Sequence, residues 1–216
     1  MNLSIKSLYI FLATIFFLFL PILFFLLGEN PQRTLLKDAL SIITILAFFI
    51  VLGQFYLTRI NEGIKDVFKI VKIIKIHKII GYTVLPILFI HPFLIVVPRF
   101  FEVGANPFES FITMVSGFDT LGLTVGIIAW ILMLALGLTS MFKDKLNMTY
   151  KSWKIFHGVL SLAFIGFASW HGIDMGRHMS LPMISLIILI ALIASILLLK
   201  SYFFNNKTSK EKEGTI

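Results

Sequence analysis

The stretch His77-Lys-Ile-Ile-Gly-Tyr-Thr-Val-Leu-Pro-Ile-Leu-Phe-Ile-His91 decides how this chain of 216 residues is read. Its two histidines stand 14 residues apart, and the only charge between them is Lys78. The same spacing returns in His157-Gly-Val-Leu-Ser-Leu-Ala-Phe-Ile-Gly-Phe-Ala-Ser-Trp-His171. Fourteen residues at ~100° each come within ~40° of four full turns, so the members of a pair share one helix face. A rise of ~1.5 Å per residue sets them ~21 Å apart, most of the hydrocarbon thickness of a bilayer.

The composition supplies that bilayer. Hydrophobic residues make up 58% of the chain and charged residues 14%, against about a quarter charged in soluble domains. A soluble fold of this length could not keep so much apolar surface, including 23 Phe, out of water. The absence of Cys excludes disulfides, zinc-thiolate sites, iron–sulfur clusters and cysteine nucleophiles. Six apolar runs read as spans, approximately Leu8–Leu27, Leu40–Leu57, Ile79–Val97, Leu121–Phe142, Phe156–Ile173 and Leu181–Leu199, with no Lys, Arg, Asp or Glu inside them. The fold class is therefore an all-α, multi-pass cell-membrane protein. Residues 1–204 form one six-helix domain, and residues 205–216 are expected to be a disordered tail.

Charge orients the spans. Fifteen of the 19 basic residues fall on the side of the N-terminus, the second-to-third and fourth-to-fifth connections, and the tail; Arg33, Lys37, Arg99 and Arg177 fall on the other. The positive-inside rule makes both termini cytoplasmic. The net charge of +8 thus reports topology, and no nucleic-acid partner is expected. Lys6 ahead of an apolar run also fits a signal peptide. That run of about twenty residues is long for one, no small-x-small cleavage site follows, and it reads as a retained helix.

With this orientation the third and fifth spans both run outward. His77 and His157 then lie at the inner level, and His91 and His171 at the outer level. Two such helices side by side present two His–His pairs at matched depths, the arrangement for bis-imidazole ligation of two b-type haems stacked across the membrane. A lone intramembrane His is most simply a hydrogen-bonded packing residue, but four in matched registry are poorly explained that way. A metal-transport path would usually add carboxylates or thiolates, which these spans lack. The face between the histidines reads Gly81, Val84, Leu88 on the third span and Ser161, Phe164, Ala168 on the fifth. Gly81, Ser161 and Ala168, with Gly158 and Gly172 beside ligands, leave room for flat porphyrins, though small residues equally serve helix contact. Phe164 lies midway, in the electron path or, as the commoner role for Phe, in the core.

These residues resemble the ferric reductase-like transmembrane domain family. The family includes the membrane cores of ferric-chelate reductases and NADPH oxidases, and the haem-binding membrane subunit serving a periplasmic methionine sulfoxide reductase. The matching pieces are His77-Lys-Ile-Ile-Gly81 leading to His91, and His157-Gly leading to His171. Gly126-Ile-Ile-Ala-Trp130, the run to Thr139-Ser140, and Trp153-Lys154-Ile-Phe-His157 resemble the bacterial subunit. The likeness covers roughly Gly53 to Tyr202 and implies that His77 pairs with His157 and His91 with His171. Ferric reductases and NADPH oxidases continue into a cytoplasmic FAD and NADPH module. Here only Lys200 to Ile216 follows, without a Gly-rich phosphate loop. In the sulfoxide reductase subunit the innermost His of the third span tends to be replaced, whereas this chain keeps His77, which leans towards the two-haem type.

The expected function is transmembrane electron transfer. A separate flavin-containing dehydrogenase or membrane quinol would be the donor. A ferric chelate, oxygen or a periplasmic reductase would be the acceptor. The alternatives are a haem-binding anchor subunit without catalysis of its own and a haem-free metal transporter. Residues Asn61–Ile79 read as an amphipathic helix that docks the donor or lies on anionic lipid. Arg99 and Arg177 outside, and Lys154 inside, are candidates to neutralise haem propionates, although positive flanks are ordinary membrane anchors. His178 reads as a surface residue. The Phe-rich connection Arg99–Thr120 is expected to fold over the outer site or lie at the interface.

Overall fold

A computed structural model describes residues 4–28, 34–57, 64, 67–118 and 120–203. All its regular structure is helical. Among the described residues, six helical segments are long and apolar enough to cross a membrane: Ile5–Leu27, Leu35–Leu57, Ile70–Phe101, Leu121–Met141, Tyr150–Met175 and Leu181–Lys200. Five of them contain the run expected from sequence, most extended at one or both ends, and the fourth, Leu121–Met141, stops one residue short of its run. We label the helices α1 (Ile5–Leu27), α2 (Leu35–Gln54), α3 (Ile70–Val96), α4 (Pro107–Ser116), α5 (Leu121–Met141), α6 (Tyr150–Met175) and α7 (Leu181–Phe203). The short α4 lies in the Phe-rich connection, whose chain reverses at Gly104 with φ 78°, a conformation open to glycine.

Local sequence explains the irregularities. Pro21 lacks an amide proton and crowds the carbonyl four residues back, and α1 absorbs this in a π turn over Ile15–Phe19. Phe17 within that turn rests on Gly53 of α2, where a Cβ would stand 3.3 Å from the ring. Helix starts are capped by side chains: Thr34, Asn106, Thr120 and Thr149 each accept a backbone N–H of their helix. At Lys69 the backbone leaves the helical region (ψ 135°), so the expected amphipathic helix Asn61–Ile79 is interrupted there, and its part from Ile70 belongs to α3. Residues 58–63, 65 and 66, in the remainder of that stretch and just before it, lie outside the described residues, as do 204–216.

Two cores share α6. Ile165 joins Phe25 of α1, Phe49 and Leu52 of α2, and Met183, Leu186 and Ile187 of α7. Its neighbour Phe164 faces the other way, into Ala47 and Val51 of α2, Val84 and Leu88 of α3, and Ala129, Met133 and Leu136 of α5. In lipid the hydrophobic effect does not drive such association; close packing and interhelical hydrogen bonds do. Trp130 of α5 donates to the Phe89 carbonyl of α3 at 2.9 Å, and Tyr56 to the Ile190 carbonyl of α7 at 3.0 Å. Bonds of this kind contribute about 0.6 kcal/mol each on average. The most extensive helix contact is between α5 and α6, followed by α2 with α3. Thus α6 and α3 are each seated on a different neighbour, and their histidines face one another.

Candidate functional site

The structure brings together all four histidines expected from sequence. His77 of α3 faces His157 of α6 with ring centroids 6.5 Å apart. His91 faces His171 at 6.3 Å. The ring planes are steeply inclined, at 75° and 61°. All four side chains are half-buried, and the buried Val84, Leu88 and Phe164 lie between the two pairs.

Three of the rings are held by the same nitrogen. His171 Nδ1 lies 2.9 Å from the Gly122 carbonyl of α5, His91 Nδ1 2.6 Å from the Leu88 carbonyl, and His157 Nδ1 3.2 Å from Ser140 Oγ. A carbonyl can only accept, so Nδ1 of His91 and His171 carries the proton and donates. The lone pair is then on Nε2, the tautomer of a metal-binding imidazole fixed by a second partner. Pro92 explains the His91 bond. The Leu88 carbonyl would ordinarily accept from the amide of residue 92, and proline has none. The oxygen is left to the imidazole.

Small residues shape the surroundings. A Cβ on Gly126 would run into the His171 ring, and one on Gly122 into Asp174 and Met175. At Gly81 and Gly172, by contrast, an added Cβ would meet nothing within 4 Å. Ser161 folds its hydroxyl back onto the His157 carbonyl at 2.7 Å. Trp153 stacks on His157, with centroids 5.2 Å apart at 27°, and donates to the Thr139 carbonyl at 3.3 Å. Gly126, Trp130, Thr139, Ser140 and Trp153 therefore each have a physical part in holding the histidines or the helices that carry them.

These distances test which group the rings can hold. A metal–imidazole bond of about 2.0–2.1 Å, with each nitrogen about 1.2 Å from its ring centroid given ring bonds of about 1.35 Å, separates two axial imidazoles by about 6.4 Å. The observed 6.5 and 6.3 Å fit one metal between each pair. Among the described residues no cluster of three or more His, Asp or Glu is formed. A bare ion in a protein cage wants about four ligands, whereas haem iron takes only its axial ligands from the protein. The donor set fits haem.

Other sequence expectations fare differently. Phe164 is 4% exposed and packs in the core, the commoner of its two readings. His178 is buried at 5% exposure with its ring 4.2 Å from Phe25, which corrects its reading as a surface residue: α1 folds over the turn that carries it. Arg99 is engaged by Glu102 at 3.2 Å, and Lys37 of α2 binds the same carboxylate at 2.6 Å. The hydrogen bond from Lys37, helped by Arg99, holds the Glu102 carboxyl below its ordinary range. Arg177 lies by His178 and Gly28, in a cleft that also includes Phe24 and Met179.

A helical membrane bundle with two stacked, inward-facing imidazole pairs is the class of protein defined here. The chain belongs to the ferric reductase-like transmembrane family: residues 42–168 match the family described as ferric reductase like transmembrane component. It is also similar to an uncharacterized protein of Archaeoglobus fulgidus, 33% identical over 162 residues that make up 75% of this chain and 88% of that one. No solved structure matches it.

Proposed function

We propose that this protein carries electrons across the membrane through two b-type haems, one held by His77 and His157 and the other by His91 and His171. The observation that carries the reading is the pair of imidazole separations, 6.5 and 6.3 Å, on one face of two neighbouring helices. The haems would supply one-electron redox chemistry. The chain's own contribution is positional. Gly122, Leu88 and Ser140 fix the rings, Gly126 makes room for His171, and Trp153 backs His157.

The excess of basic residues supports a cytoplasmic position for the His77–His157 level and for both termini. Lys72, Lys75 and Lys78 of α3 and Lys145 and Lys151 near the start of α6 are exposed at that end. A separate flavin-containing dehydrogenase or a quinol would deliver electrons there. A ferric chelate, oxygen or a periplasmic reductase would take them outside.

The test is an absorbance spectrum of the detergent-purified protein expressed with haem supply. Two reducible b-type haems per chain are expected, falling to one in each single His→Ala variant. A protein without haem overturns the proposal. Reduced protein in liposomes should then donate electrons to external ferric citrate or oxygen.

A further inference from the structure

The two imidazole pairs are not held alike. At the outer level both Nδ1 groups donate to backbone carbonyls, His91 to Leu88 at 2.6 Å and His171 to Gly122 at 2.9 Å. At the inner level His157 meets only a hydroxyl, Ser140 Oγ, at 3.2 Å. His77 makes no hydrogen bond through its ring to any described residue. A proton given up towards a good acceptor makes an imidazole a stronger donor at its other nitrogen. A stronger donor favours the more positive, oxidised metal.

Charge acts in the same sense. The ends of α3 and α6 that carry His77 and His157, with the connection before α6, hold Lys72, Lys75, Lys78, Lys143, Lys145, Lys151 and Lys154 against one acid, Asp144, paired with Lys143. Such positive surroundings favour the reduced state. At the outer level the Asp174 carboxylate lies against Gly122, the residue whose carbonyl holds His171. Of the outer cations among the described residues, Lys37 and Arg99 are engaged by Glu102, and Arg177 lies by His178 and Gly28. Hydrogen bonding and electrostatics are separate properties of the fold, and they agree.

Resting on the haem reading above, we infer that the outer site, His91 with His171, has the lower reduction potential and that Ser140 is a positioning residue that tunes the inner one. An electron from the cytoplasmic side then resides at the inner level until an external acceptor draws it out.

The experiment is a redox titration of the purified haem-loaded protein, followed by absorbance. His91→Ala and His157→Ala each leave one site, which assigns the two components. The component kept in His157→Ala should titrate below the one kept in His91→Ala. Ser140→Ala should raise the inner potential and leave the outer one unmoved, and Ser140→Thr should restore it. Two haems with equal or reversed potentials, or a Ser140→Ala protein with an unchanged inner component, overturn this inference and leave the electron conduit standing. A protein that binds no haem removes both.

Discussion

Gly126→Ala is the sharpest single test of how the site is built. The added Cβ would fall 2.6 Å from His171 Cε1 and 2.8 Å from Cγ, against an optimum of about 3.5–4.0 Å between carbon atoms. The ring cannot simply retreat, because its Nδ1 is tied to the Gly122 carbonyl one turn earlier on the same helix. Either the imidazole tilts and gives up that bond, at about 0.5–1.5 kcal/mol, or α5 shifts away from α6, at about 1–3 kcal/mol for an overpacked contact. At about 1.4 kcal/mol per decade, the larger range corresponds to about fivefold to 150-fold weaker retention of the haem proposed at the outer pair. The assay is the haem-to-protein ratio during challenge with an external haem acceptor, with the inner haem as internal reference. Gly166→Ala is the matched control, since a Cβ there meets nothing within 4 Å. If Gly126→Ala holds both haems as firmly as Gly166→Ala does, the steric account of His171 is wrong.

Other perturbations probe different parts of the bundle. Pro92→Ala restores an amide that competes with His91 for the Leu88 carbonyl. The helix should gain thermal stability, by up to about 3 kcal/mol if the proline is fully strained, while the outer haem's absorbance and potential shift; a change in neither would refute the role given to Pro92. Trp153→Phe keeps an aromatic ring against His157 and loses the bond to Thr139, for about 0.5–1.5 kcal/mol in thermal unfolding, whereas Trp153→Ala should also loosen the inner haem. Glu102→Gln removes the link between α2 and the end of α3. Because Lys37 depresses the Glu102 pKa, the stabilisation is present above the unfolded carboxylate value and is lost as pH falls through the folded one. The variant should therefore melt earlier than wild type at neutral pH and equally in acid, and a difference that persists in strong acid would exclude the ion pair as its cause.

The histidines were legible because a spacing of 14 is a statement about one helix, and helix geometry needs no tertiary information. Their partners were not. Gly122, Ser140 and Gly126 lie on α5, a different helix from the histidines they meet, and only the packing of α5 on α6 brings them to His157 and His171. The likeness of Gly126-Ile-Ile-Ala-Trp130 and Thr139-Ser140 to a known subunit marked these residues without saying what they do. The two histidine-bearing helices, α3 and α6, also begin earlier than their apolar runs. His77 and His157 sit near the start of spans read from Ile79 and Phe156, while the backbone is already helical from Ile70 and Tyr150. Hydropathy measures where charges stop, and a helix is free to continue past them. His178 was misread for a related reason: a short turn rich in polar residues looks exposed, and only the return of Phe25 on α1 covers it.

The core between the two histidine levels has an electrical meaning. Ala47, Val51, Val84, Leu88, Ala129, Met133, Leu136 and Phe164 fill it, and none has an ionisable group on which a proton could travel. An electron can tunnel through packed hydrocarbon, but a proton needs a chain of donors and acceptors. Charge would then cross this middle uncompensated, each electron sent outward working against or with the membrane potential by about 2.3 kcal/mol per 100 mV. On the proposed function, such a protein would generate voltage as well as conduct, and its turnover should slow as the inside becomes more positive.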